Sequence, residues 1–133
     1  MTTRRKQDRL VLEAAAAAAE KKAQDIVILD VSEVLVITDH FLICSGNSER
    51  QVKTIADEIE RRLLENEKRK PARREGEREA RWVVLDFVDF IVHVFHREDR
   101  DYYELERLWS DARVVPFDEN WEGSGEPAAA EAT

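Results

Sequence analysis

The side chains in this chain that could do chemistry fall into small, separate sets. The first holds His40, Cys44, His93 and His96, which could ligate a metal or form a Cys–His nucleophilic pair. His93 and His96 lie three apart in a run that reads as a strand. Alternation then puts them on opposite faces, so a shared metal is not expected. No Cys or His pair has zinc-finger spacing. Cys44 ends an apolar run, where a buried structural thiol is the default, and nothing else selects a nucleophile. The second set is Asp86 and Asp89. Paired carboxylates can hold magnesium beside phosphates, but D-x-D in a strand is the arrangement that places both on one face. D-x-x-D across a turn is worse for that purpose, and Asp89 reads more simply as an acceptor for turn amides. The third set is Ser45-Gly46-Asn47-Ser48, between a strand and a helix start, where free N–H groups could hold an anion. It has one Gly, no Lys and no G-x-x-x-x-G-K pattern, so it fails as a phosphate loop and serves as strand exit and helix cap. Composition, periodicity and spacing give no convincing catalytic, cofactor-binding or metal-ligating set.

The elements that must position these residues are clearest from Arg81 to Trp109. Arg81–Asp86 and Phe90–Phe95 are rich in branched and aromatic residues that suit a pleated sheet. Only Phe87, Val88 and Asp89 separate them, too few for a crossover helix, so an antiparallel hairpin is expected. Asp99 and Asp101 suit the opening of a helix, and Tyr102, Leu105, Trp109 and Ala112 fall on one face of it. Ser48 and Gln51 form a capping-box pattern, with Ser48 accepting from the Gln51 N–H and Gln51 reaching back to residue 48. Val52, Ile55, Ala56, Ile59 and Leu63 then mark an apolar stripe, and Pro71 forbids continuation, which places a helix over 48–69. Upstream, residues 25–31 (DIVILDV), 34–37 (VLVI) and 41–44 (FLIC) each read as strands, and 71–74 could add an edge strand. Strand 41–44, the helix and the later hairpin suit a right-handed βαβ crossover. An Ala-rich helix over 4–24 precedes them; its narrow face could pack closely on a sheet or simply fill the helix.

The chain has 133 residues and a formal net charge of −8, enough length for one domain with a real core. The acidic balance argues against a general DNA or RNA binder and favours a partner with a basic surface. A single cysteine fits a reducing, cytoplasmic compartment, and no apolar run reaches membrane-spanning length. Lys68, Arg69, Lys70, Arg73 and Arg74 could touch RNA, but Glu75, Glu77 and Glu79 interrupt the run and a solvated connection is the preferred reading. Residues 114–133, acidic and rich in Gly, Pro and Ala, read as a disordered tail. The mixed polar and aromatic residues on or beside the hairpin, Trp82, Asp86, His93, Tyr102, Tyr103 and Trp109, have the character of an interface centre; for Trp82 and Trp109, ordinary core is the competing reading.

Four stretches resemble the ribosomal silencing factor family (RsfS, Iojap-like): DIVILDVSE from Asp25, ITDHFLICSGNSERQVKTIADEIE from Ile37, Glu75-Gly76 leading to WVVLDFVDFIVHVF from Trp82, and YYELERLWSDA from Tyr102. They cover nearly all of 25–112 in order, leaving the Ala-rich start and the acidic tail outside. The resemblance implies one α/β domain over 25–113, with a mixed β-sheet flanked by helices, like a nucleotidyltransferase domain without its catalytic carboxylates. It implies a non-enzymatic, cofactor-free role: binding the large ribosomal subunit through ribosomal protein L-fourteen and blocking subunit joining, so that translation is repressed under nutrient limitation. A homodimer and a secondary contact with ribosomal RNA are further expectations, with no role for DNA or membrane. On the matched positions the expected contacts are Trp82, Asp86, Asp89, His93, Tyr103, Leu105 and Trp109.

The alternative is a nucleotidyltransferase-like enzyme using Ser45–Ser48 as a phosphate loop and Asp86/Asp89 as metal ligands. One departure from the family pattern bears on both readings. The family usually has Gly where this chain has Val88. Val resists the positive φ that Gly permits, so the turn should be either rebuilt or strained.

Overall fold

A computed structural model describes residues 2–76, 78–99 and 112–117. Its elements are α1 (Thr2–Glu20), β1 (Gln24–Asp30), β2 (His40–Gly46), α2 (Glu49–Glu67), β3 (Arg73–Glu75), β4 (Trp82–Asp86), β5 (Phe90–His96) and β6 (Arg113–Val114). The strands form one six-stranded sheet in the order β3-β4-β5-β2-β1-β6. Only β2 and β5 run parallel, in register from His40↔Phe90 to Gly46↔His96; the other pairings are antiparallel. The architecture is therefore α/β with a mixed sheet, as expected. The crossover from β2 passes through α2 and then β3 and β4, so its parallel partner is the second strand of the hairpin.

Helices α1 and α2 cover the same face of the sheet. Val52, Ile55, Ala56, Ile59 and Leu63 of α2 are buried with Ile28, Leu42, Cys44, Val83, Leu85, Val92 and Val94 of the strands, and Leu10, Val11, Ala14, Ala15, Ala17 and Ala18 of α1 belong to the same core. The Ala run is thus a packing surface, not filler. Its methyl-sized side chains let the α1 backbone approach closely, and polar contacts flank the seam: the Asn66 amide donates to Glu13 at 2.7 Å and Arg62 reaches Glu13 and Glu20. Helix α2 ends where Lys68 takes a left-handed conformation (φ 58°) and the Arg69 N–H returns to the Leu63 carbonyl at 3.1 Å. This closure satisfies the last carbonyls just before Pro71.

The expected strand at 34–37 does not form. β1 pairs directly with β2, so residues 31–39 are only their connection. The Val34 and Leu35 amides donate to the Val31 carbonyl, and the Val31 amide to the Asp39 carbonyl. Leu35 turns inward against Leu29, Val31, Phe41, Ile43 and Phe95, while Val34, Val36 and Ile37 face solvent. A run rich in β-branched residues has strand propensity, but among the described residues no neighbouring strand takes up its hydrogen bonds.

Candidate functional site

Strand alternation decides which side chains meet. On β4, Val83 and Leu85 point to the helices, so Trp82, Val84 and Asp86 share the opposite face. There they meet Ile91, His93 and Phe95 of β5, whose registry is Trp82↔Phe95, Val84↔His93 and Asp86↔Ile91. Trp82 stacks on Phe95 with ring centroids 4.9 Å apart, and Phe41 meets His93 edge-on at 4.8 Å. The Trp82 indole N–H donates to His93 Nδ1 at 3.1 Å. His93 is only 8% exposed, and burial pulls its pKa down to about 4. The indole proton occupying the Nδ1 lone pair acts in the same direction, because it bonds the neutral ring. A neutral ring that accepts at Nδ1 carries its proton on Nε2, and among the described residues Nε2 has no hydrogen-bond partner. His93 therefore positions the half-buried Trp82 from beneath.

The β4–β5 turn carries strain. Val88 has φ 75°, and the Asp89 N–H donates to the Phe87 carbonyl at 2.9 Å. Positive φ with an i→i+2 bond is the rare, strained form of γ-turn, and for a β-branched residue the conformation costs about 1–3 kcal/mol. Of the two outcomes expected for Val in place of Gly, the strained one is realised. The surroundings hold it there. Asp86 Oδ1 accepts from the Val88 N–H at 2.8 Å, Thr38 Oγ1 donates to the Val88 carbonyl at 3.0 Å, Arg69 donates to the Phe87 carbonyl at 2.8 Å, and the Asp39 N–H donates to the Asp89 carbonyl at 3.0 Å.

These bonds correct the reading of the two carboxylates. Asp86, not Asp89, satisfies a turn amide. Asp89 instead faces the Arg69 guanidinium at 3.4 Å, and Arg73 approaches Asp86 at 3.7 Å. Arg74 is held between Asp57 at 2.7 Å and Glu60. Much of the basic run at 68–74 is thus neutralised by this protein's own carboxylates. Among the described residues, no group of three or more His, Cys, Asp or Glu side chains could hold a metal ion.

The parts of the alternative active site do not come together. Ser45 and Gly46 end β2 and Asn47 and Ser48 follow it, whereas Asp86 pairs with Ile91 and Asp89 precedes Phe90, at the opposite end of the sheet. Strand rise puts roughly 20 Å between them. The loop's groups are also engaged in capping. Ser48 Oγ accepts from the Gln51 N–H at 3.1 Å, and Gln51 Oε1 accepts from the Asn47 N–H at 2.6 Å, one residue earlier than the box pattern predicts. The Gln51 amide donates to the Lys21 and Lys22 carbonyls at 3.1 and 3.0 Å, so one side chain caps the start of α2 and the end of α1.

Sequence reasoning missed several supporting residues. Gly76 has φ 84°, and a Cβ there would collide with the Trp82 carbonyl oxygen; the Glu75-Gly76 pair of the family resemblance was its only signal. Arg81 clasps Asp99 with bonds of 3.1 and 2.9 Å, tying the start of β4 to the segment after β5. Thr38 and Arg69 gave no local signal, since their partners lie far away in sequence. Of the expected contacts, Trp82, Asp86 and His93 come together on one face and Asp89 lies at its end. Tyr103, Leu105 and Trp109, with Tyr102 and the tail beyond 117, lie outside the described residues.

The fold and this face define a small α/β domain with a buried aromatic cluster on the side of the sheet away from α1 and α2, edged by the half-buried Trp82 and Asp86. Comparison with known proteins then fixes the family. The family model "Ribosomal silencing factor during starvation" (RsfS) matches residues 4–133, and the chain belongs to that family. The match takes in the Ala-rich start and the acidic tail, so the likeness runs further than the four stretches suggest. The ribosomal silencing factor RsfS of Bacillus subtilis is 48% identical over 105 residues, covering 79% of this chain and 88% of that protein. A crystal structure of a Bacillus halodurans protein superposes with a TM-score of 0.72 at 40% identity, over 83% of this chain and 99% of that one. One of a Chromobacterium violaceum protein gives 0.75 at 29% identity, over 88% and 94%. No helix among the described residues is long and apolar enough to cross a membrane.

Proposed function

We propose that this chain is a non-enzymatic ribosomal silencing factor of the cytoplasm. It binds the large ribosomal subunit through ribosomal protein L-fourteen and, by occupying the face that meets the small subunit, prevents the subunits from joining. The carrying observation is the placement of Trp82, Asp86 and His93 on one face of a rigid sheet, with the polar edge of the indole fixed by His93. An aromatic anchor held in one orientation loses little freedom on docking. Asp89, Tyr103, Leu105 and Trp109 complete the proposed contact region. No bond is made or broken; occupancy is the activity.

Electrostatics support a basic partner. A chain of net charge −8 gains in encounter rate with a positively charged surface, and salt screens that gain. The roughly 20 Å between Ser45–Ser48 and the Asp86/Asp89 turn speaks against the enzymatic alternative. Calorimetry with a nucleoside triphosphate and magnesium is expected to register no tight binding.

The direct test is sedimentation with purified ribosomal subunits. The protein should travel with the large subunit only and lower the fraction of joined ribosomes. An unchanged joined fraction at saturating protein would falsify the proposal.

A further inference from the structure

The connection at 31–39 and the β4–β5 turn form one tip of the molecule. Both lead into the parallel strands β2 and β5, so they sit at the same end of the sheet. They are sewn together by the Thr38 hydroxyl on the Val88 carbonyl at 3.0 Å and the Asp39 N–H on the Asp89 carbonyl at 3.0 Å. Large aliphatic side chains project from this tip into solvent: Val36 is 102% exposed, Ile37 73% and Val88 58%. The loop that presents them is firmly placed, because Val31 and Thr38 are buried and Leu35 packs inward between them.

Val88 is the informative residue. Its side chain is mostly outside the fold, yet its backbone occupies a conformation in which glycine would be unstrained. The valine methyl groups therefore contribute little to folding while burdening the backbone. Strain of this kind, held by surrounding bonds, accompanies functional surfaces.

We propose that Val36, Ile37 and Val88 form a preorganised apolar anchor that seats in an apolar pocket of a basic protein. This deepens the silencing reading and rests on it: the partner is the basic ribosomal protein at the docking face. Charge selects this occupant. Glu33 is exposed and Asp39 half-buried at the rim of the tip, and neither side chain has an ion pair among the described residues. A second copy of this acidic chain would set carboxylates against carboxylates. A nucleic acid or an anionic membrane would meet the same repulsion, and aliphatic side chains offer bases no stacking surface. A basic rim around an apolar pocket satisfies both features.

The test uses the full chain and purified bacterial large ribosomal subunits, with affinity measured by sedimentation at fixed salt. Val36→Ser and Val88→Gly are each expected to weaken binding roughly tenfold. Thr54→Ala, exposed near the start of α2 at the opposite end of the sheet, should bind as the parent does. Val88→Gly should also raise the melting temperature, so reduced affinity cannot be ascribed to misfolding. If the parent protein binds and both tip variants bind equally well, the anchor is overturned while the silencing reading stands. If the parent protein does not bind, both fall. If Val36→Ser instead dissociates a dimer of the isolated protein and leaves subunit affinity unchanged, the occupant is a second copy and the anchor assignment is wrong.

Discussion

The two ends of the sheet are built to opposite specifications. At the end where β2 and β5 finish, Ser48 and Gln51 cap the start of α2, Gln51 also takes up the last carbonyls of α1, and Gly76 supplies the positive φ that close approach to Trp82 demands. Lys22, Asp25 and Ala80 also take positive φ there, but none of them is branched at Cβ. At the end where those strands begin, a valine occupies a position fit for glycine and aliphatic side chains face water. The first end keeps its positive-φ positions free of β-branched residues. The second tolerates local cost, which is where a contact surface is expected.

The sharpest way to break this contrast is Gly76→Ala. A methyl group would meet the Trp82 carbonyl, which belongs to a paired strand and cannot easily move. Urea unfolding should show a loss of about 3 kcal/mol or more; near-neutral behaviour would mean that the first end is not tightly specified.

Between the ends lies His93, whose effect depends on pH. Its folded pKa of about 4 lies below the ordinary value of 6.5. Between those values the unfolded chain binds a proton that the native chain does not. Stability contributed by the neutral ring is therefore full above pH 6.5 and falls as pH drops through the window, by up to about 1.4 kcal/mol per pH unit. Urea midpoints at pH 7 and pH 4.5 should differ by more in the parent protein than in His93→Gln, which does not titrate. Equal differences would remove the buried neutral imidazole from the account.

Smaller effects of opposite sign should separate the ends. Val88→Gly relieves the strained turn and, after the added flexibility of the unfolded chain is subtracted, should stabilise by about 1 kcal/mol. Ser48→Ala removes a satisfied cap and should destabilise by about 1 kcal/mol. Thermal or urea unfolding of the pair reads both signs, and a Val88→Gly protein less stable than its parent would show that the valine serves the fold.

What the sequence revealed followed the range of the interactions involved. Helix α2 was legible because its cap, stripe and stop are local: Ser48, the Val52–Leu63 spacing and Pro71. The hairpin was legible because only three residues separate two β-rich runs. Strain at Val88 could be foreseen as one of two outcomes, since a β-branched residue stood where the family carries Gly. The 34–37 run was misread because its propensity is local while its fate depends on β1 reaching β2 directly. Asp86 and Asp89 exchanged roles for a similar reason: the turn type, and Arg69 from twenty residues upstream, decide which carboxylate meets the amide. Burial of His93 was illegible because alternation assigns a face but not its cover.

The parallel union of β2 with β5 also has a consequence for how the protein is made. β1 can close one side of β2 as soon as both leave the exit tunnel, but the strand lying along the other side, starting with Phe90 beside His40, is synthesised about 50 residues later. At ordinary elongation speeds the nascent chain carries that naked margin for roughly 2 to 10 s. During this interval α2 can shelter the face of β2 but not its unpaired amides and carbonyls. A translation product that stops before Phe90 retains this adhesive margin permanently, so the hairpin supplies, besides half of the proposed docking face, the seal that makes the finished protein safe from its own kind.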